Sequence, residues 1–443
     1  HYGTRRQRQM CIRDRYTQVR KLSFQIQWII FVFVIGSMTM KAQQSQDSVA
    51  VTPYKKRVLE TTEIDFLMSY YTQEGDNAAV TGGRGTEELV DTNPAIVVTI
   101  PLNDDDILAI DGSVSAYSSA SSSNVNPFDG ENRADPFVAS SGASQNDVLV
   151  TLSAAYTHHS DDRNTIWSAN VSVANEYDYS SVGGGAGFTK LFNEKNTEFT
   201  IKGNVFLDTW KLIYPSELRD NPSFEPFTDN KRNSYAIGAN FSQILSKNMQ
   251  GMLSVDVIFQ EGVLSTPFQR IQFADVEDVV IQDFTYGDDV ERLPDQRVKV
   301  ALGGRLHYYL NERIVLRNFY RYYTDDWGIK AHTASIEIPF KISDMFTLYP
   351  SYRFYKQTAA DYFAPFNKHL SSEEYYTSDY DLSEFNANQF GFGITYTDIL
   401  TQMRIWKLGV KNIDLRYSLY ERNTGLRANS VSYTHLRAHE TRT

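Results

Sequence analysis

Cysteine is almost missing from this chain: Cys11 is the one cysteine among 443 residues. Without thiols there is no disulfide framework, no thiolate nucleophile, no iron–sulfur ligand set and no haem-attachment motif. Positive charge is also short. Lys and Arg total 43 against 54 Asp and Glu, a formal net charge of −11, which argues against nonspecific nucleic-acid binding. Long apolar runs are missing from the body, so a bundle of transmembrane helices, each needing about twenty apolar residues, is excluded. A membrane β-barrel is not excluded, because alternation dilutes its signal. No Pro/Gly/Ser-rich linker divides the chain, although its length alone suggests two or three soluble domains. Aromatics, in contrast, are plentiful, with 28 Tyr and 26 Phe.

The ends are set aside from fold reasoning. RRQRQMCIRDR (Arg5 to Arg15) and VSYTHLRAHETRT (Val431 to Thr443) resemble translated sequencing-adapter read-through, which marks 1–15 and 431–443 as scars. Residues 16–42 read as a secretory signal peptide. Arg20 and Lys21 form its basic start, Ile26 to Met40 its short apolar core, and Ala42 a cleavage point. The expected layout continues with a periplasmic segment at 43–62 and a barrel at 63–430.

The body alternates. In RVKVALGGRLHYYLNERIVLRNFYRYY (Arg297 to Tyr323), Arg297, Lys299, Arg305 and His307 fall on one face, and Val298, Val300, Leu302 and Leu306 on the other. Beyond the LNE turn, Arg313, Arg317 and Arg321 oppose Ile314, Leu316, Tyr320 and Tyr322. Period-two alternation is the signature of extended strand. About sixteen segments behave this way, TIWSANVSVANEYDY (Thr165 to Tyr179) among them. Each runs roughly ten to fourteen residues, the length a tilted membrane strand requires.

Tight polar turns (NDDD, HSDDRN, NEKN, SKN, NER, SD) alternate with long stretches around 75–92, 118–146, 211–231, 260–294 and 358–384. The expected fold is therefore all-β: an antiparallel up-and-down transmembrane β-barrel of about 16 strands (range 14–18), with short periplasmic turns and long extracellular loops. Tyr308, Tyr309, Tyr320, Tyr322 and Tyr323 fit aromatic girdles at the membrane interfaces.

YKKRVLETTEIDFLMSYYTQEGDNAAVTGGRGTEELVD (Tyr54 to Asp91), IPLNDDDILAIDGSVSAYSSASSSNVNPFDG (Ile100 to Gly130) and LRYSLYERNTGLRAN (Leu415 to Asn429) resemble an exported bacterial family catalogued as domain of unknown function 3570. The resemblance implies an outer-membrane location and no agreed activity. Members tend to be encoded near thioredoxin-like and flavin-transferring proteins, which implies a periplasmic or surface redox partner. In the family the last strand runs past Asn429 to an aromatic end. Here it meets the 431–443 scar, so an interrupted last strand is expected.

Chemistry-bearing constellations are few. His158 and His159 neighbour Asp161 and Asp162 in a turn, but adjacent histidines point to opposite sides of a strand, and a solvated turn is the favoured reading. Asp104, Asp105 and Asp106 form an acidic hairpin too tight to complete a calcium shell. In GDNAAVTGGRGTEEL, Asp76, Asn77, Thr81, Glu87 and Glu88 surround glycines that could order a loop, wrap a cation or form a constriction. No Gly-Lys-Ser/Thr follows, so this is not a phosphate loop. His307, His332 and His369 show no companion serine for a lipase or protease arrangement. No catalytic, cofactor or metal residue is assigned.

Two charge lists divide the inward positions. Asp65, Asp111, Glu176, Asp178, Glu198, Asp208 and Asp256 form an acidic arc, and Arg297, Lys299, Arg305, Arg313, Arg317, Arg321 and Arg353 a basic ladder. Facing rows would set a transverse field across a wet lumen; pairing with neighbours would only hydrate it. The functional expectation is a channel for small solutes surrounded by outer-membrane lipid. The alternatives are a barrel scaffold docking a redox or flavoprotein partner and, less favoured, a lipid or peptide enzyme.

Overall fold

The computed structural model describes residues 56–85, 87–119, 146–219, 221–281, 284–400, 402–424 and 428–442. The expected signal peptide, the expected first scar and most of the stretch around 118–146 fall outside them. Three of the nineteen strands in the main sheet are pieces of two or three residues (Phe340–Lys341, Phe346–Leu348 and Arg404–Ile405), which leaves sixteen longer ones. They are β1 (Glu63–Gln73), β2 (Leu89–Pro101), β3 (Asp106–Ser119), β4 (Asn146–His159), β5 (Thr165–Asn175), β6 (Tyr179–Phe192), β7 (Thr197–Trp210) and β8 (Lys231–Ser246). The second half comprises β9 (Met249–Gly262), β10 (Gln296–Tyr309), β11 (Val315–Asp325), β12 (Lys330–Glu337), β13 (Ser351–Gln357), β14 (Phe385–Thr397), β15 (Leu408–Asn423) and β16 (Ala428–Arg442).

Each strand pairs antiparallel with its sequence neighbour, and β16 pairs with both β15 and β1, so the ladder returns to its first strand. This is an up-and-down β-barrel. A returning ladder leaves no edge, the condition for strands to survive where lipid offers no hydrogen bonds. Residues 431–441 therefore lie in a strand, paired residue for residue with β1, where the sequence led to an expected interruption. The pairing is made by backbone groups and does not require a particular side chain.

One contact shows which face is interior. Arg416 of β15 donates to Glu337 of β12 at 2.9 Å, with β13 and β14 lying between them in the wall. Side chains separated by two strands can meet only across the inside. Strand register carries that assignment around the ring, since directly paired residues share a face. The opposite face is apolar and uncovered: Leu253 is 67% exposed, Val171 65% and Phe390 57%. An apolar belt of that extent is unfavourable in water and matches a lipid-facing wall. No helix among the described residues is long and apolar enough to cross a membrane.

Thr165 to Tyr179 is not one strand. β5 ends at Asn175, and the Glu176 N–H donates to the Tyr179 carbonyl at 2.7 Å, closing a tight turn into β6. Alternation continues through Glu176–Asp178, so a two-residue period alone does not mark the turn.

Buried side chains gather away from the middle of the wall, at the end where the long connections lie. Val80, Tyr179, Trp210 and Phe268 form one buried cluster, Leu293, Trp327, Ile329, Ala360 and Leu382 a second, and Ile271, Phe273 and Tyr376 a third. This is an ordinary dry core, built on top of a membrane wall.

Candidate functional site

The connections after β1, β7, β9 and β13 emerge at the same end and fold together. Arg270, in the segment between β9 and β10, is fully buried. Its Nε donates to Glu217 Oε1 at 2.5 Å and its Nη2 to Glu217 Oε2 at 3.2 Å; Glu217 sits on the single helical turn α1 (Ser216–Arg219) between β7 and β8. Its Nη1 donates to the Val80 carbonyl at 3.2 Å, in the connection between β1 and β2. Thus one guanidinium ties three connections. The β1–β2 and β9–β10 hairpins lie eight strands apart on a ring of sixteen. Contact between their connections spans the diameter, so the mouth is bridged at this end.

The glycines around Val80 explain why that segment fits. Gly82 and Gly83 take φ of +70° and +88°, where side chains are strained. A Cβ on Gly82 would collide with Gln272 Oε1, and one on Gly83 would lie 2.8 Å from the Ser378 carbonyl. Glycine is needed for conformation and for close approach. Asn77 is buried in this loop and bridges to Gly85, Glu87 is half-buried, and Asp76 and Glu88 are exposed. Thr81 donates to the Ala78 carbonyl at 3.3 Å. The structure uses this segment to bridge the mouth and does not gather its acids into one cluster.

Wall residues grip the connections from below. The inward Arg422 of β15 donates to Asp381 at 2.5 Å, and Gln357 of β13 donates to the Asp381 and Ser383 carbonyls at 3.0 and 2.7 Å. Glu291 is buried, accepting from the Thr266 N–H at 2.7 Å and the Thr377 hydroxyl at 2.5 Å. Burial, then the nearby Asp379, pushes its carboxyl up to about 8. Burial and the charge of Asp381 push Glu87 up to about 7. Asp379 is raised for the same first reason, with Asp381 next.

Below the mouth, Asp65, Asp111, Glu198, Asp208 and Asp256 occupy inward positions of β1, β3, β7 and β9. Arg297, Lys299, Arg305, Arg317, Arg321 and Arg353 continue the face on β10, β11 and β13. The two groups occupy different arcs, but several members are paired within the wall. Asp208 binds Arg232 at 3.3 Å, Arg297 binds Asp325 at 2.5 Å, and Glu337 accepts from both Arg317 and Arg416. Among the described residues, Arg305 and Arg321 have no ion pair; Arg305 lies over the Phe319 ring. Arg313 stands in the turn before β11, outside the ladder, and Glu176 and Asp178 stand in the β5–β6 turn.

The histidines are dispersed. His158 faces Asp106 at 2.6 Å, Arg163 pairs with Asp105 and Arg57 with Asp104, so each acid of the hairpin has a neighbouring cation or ring nitrogen as its partner. His159 is the last residue of β4; Asp161 is exposed in the turn that follows, and Asp162 accepts from Ser160 and Asn164. His307 lines the interior, His332 meets Tyr320 on the outer face at 2.7 Å, and His369 is buried against Glu373 and the Thr377 carbonyl. Sequence reasoning missed Arg270, Glu217 and Glu291, because nothing local distinguishes them from other loop charges.

A family model described as "Protein of unknown function (DUF3570)" matches residues 32–425. No curated protein matches the chain. Solved structures with similarity include one titled "Bacterial polysaccharide outer membrane secretin", at 10% identity, covering 86% of this chain and 98% of that one, with TM-score 0.44. Another is a TodX monoaromatic hydrocarbon channel mutant, at 10% identity, covering 87% and 91%, with TM-score 0.40. A BenF-like porin from Pseudomonas fluorescens Pf-5 is 10% identical, covering 86% and 98%, also with TM-score 0.40. At these values the likeness is distant.

Proposed function

The chain belongs to the DUF3570 family, and from that premise we propose that it is an outer-membrane channel for small solutes, its mouth controlled by its own connections. The observation that carries this reading is an inward wall rich in ionisable residues beneath a mouth bridged across its diameter at Arg270. A wall serving only as a membrane anchor has no need of Arg305 and Arg321 on its inward face. Loop connections placed outside and turns in the periplasm follow the usual barrel arrangement.

The basic arc supports anion preference, because fixed charge lining a pore raises the local concentration of the opposite ion. In planar bilayers, folded protein should give a small, salt-dependent current. Arg305→Gln together with Arg321→Gln should shift the reversal potential in a salt gradient toward cations. Both side chains face the interior, so the fold should hold. Absence of current from folded protein would shift the reading to a scaffold for a periplasmic or surface redox partner. Unchanged reversal potentials would sink the selectivity claim alone.

A further inference from the structure

One acidic group belongs neither to the lumen ladder nor to the mouth network. Asp147, near the start of β4, and Glu176 and Asp178, in the β5–β6 turn, place carboxylate oxygens within 4.8 Å of one another. They come together because β5 pairs with β4 up to Asn175 opposite Val150, which brings the following turn alongside Asp147. All three are buried, with 5%, 7% and 7% of their surface exposed. Three carboxylates cannot all carry charge in so small a dry volume without a compensating cation.

The hydrogen-bond pattern points to a ligand. Asp147 Oδ1 accepts from the Val148 N–H at 2.7 Å, and Glu176 Oε1 accepts from the Tyr117 hydroxyl of β3. The remaining oxygens, Asp147 Oδ2 and Glu176 Oε2, are buried and have no hydrogen-bond partner among the described residues. An orphaned buried carboxylate oxygen is costly, and two of them at one cluster call for a cation or a proton. The donor set is all oxygen and anionic, which selects a hard cation. Calcium accepts irregular oxygen shells completed by water, whereas magnesium demands near-ideal octahedral geometry. We propose that Asp147, Glu176 and Asp178 form a calcium site at the loop end of the barrel, joining the start of β4 to the β5–β6 turn. Tyr117 orients the Glu176 carboxylate toward it.

The test uses the full chain folded in detergent, with Tb³⁺ as the spectroscopic stand-in for calcium and Tyr117 as the neighbouring sensitiser. Tyrosine-excited emission should saturate and be displaced by Ca²⁺ at lower concentration than by Mg²⁺. Asp147→Asn with Glu176→Gln should weaken binding by roughly tenfold or more, since affinity follows ligand charge. Tyr117→Phe should reduce emission while Ca²⁺ still raises the temperature of the heat-modifiable gel shift. The double variant should keep that shift, which reports folding, but lose its response to Ca²⁺. No saturable emission, or emission unchanged in a folded double variant, would overturn the site. Should the double variant fail to fold, the unsubstituted protein decides: a gel-shift temperature indifferent to Ca²⁺ and to chelator would mean that the cluster holds a proton instead.

Discussion

At the scale of single residues, the mouth rests on charges removed from water. Arg270 is fully buried, and its compensation comes from Glu217, which is itself almost fully buried. Removing one partner of such a pair leaves an uncompensated ion and costs about 3–5 kcal/mol. Glu217→Ala should therefore loosen the segment around Arg270 without unfolding the wall, visible as faster amide exchange at Arg270–Phe273. Undiminished protection there would show that the ion pair does not hold the bridge.

Protonation acts on the same region. Glu291 and Glu87 have folded-state pKa values of about 8 and about 7, against 4.5 for an unperturbed glutamate. Raised values mean that the folded form binds more protons. Their contribution is full below the unfolded value and is lost as pH rises through the folded values. Proteolysis within residues 263–295 should be slower below about pH 5 than above about pH 8. Glu291→Gln, which keeps the site neutral, should reduce the difference. Equal cleavage rates at both extremes would contradict the assignment.

At the scale of elements, wall and connections obey different rules. A strand needs only alternation and a neighbour; its register follows once one pairing is set. The β1–β2 connection needs particular residues, because Gly83 combines a positive φ with close approach to the Ser378 carbonyl. Gly83→Ala should displace the Ala78–Gly85 segment from the β13–β14 connection and free Arg84 from the Phe366 ring it covers at 4.6 Å. Trypsin cleavage after Arg84 should then accelerate severalfold, within the range expected for strain of about 1–3 kcal/mol. A cleavage rate matching the unsubstituted protein would mean that the segment tolerates a Cβ.

At the scale of the molecule, closure is the governing constraint. β16 supplies partners to both β15 and β1. Deleting residues 431–443 would expose backbone groups on two strands, at several kcal/mol for each group left unsatisfied in lipid. The shortened chain should fail to show heat-modifiable mobility, and normal mobility would make the last strand dispensable.

Alternation alone determined the strand-rich wall, the greasy and charged faces of β10 and β11, and the turn-and-loop asymmetry, because strand geometry repeats every two residues and is local. The same rule carried Arg313 into a ladder and Glu176 and Asp178 into a strand, since a turn can preserve alternation while changing direction. Only tertiary structure decided that Arg270 reaches Val80, that Glu337 is shared by Arg317 and Arg416, and that Asp147 meets Glu176. Those contacts depend on how the barrel brings distant segments together, and no local period encodes a distance across a ring.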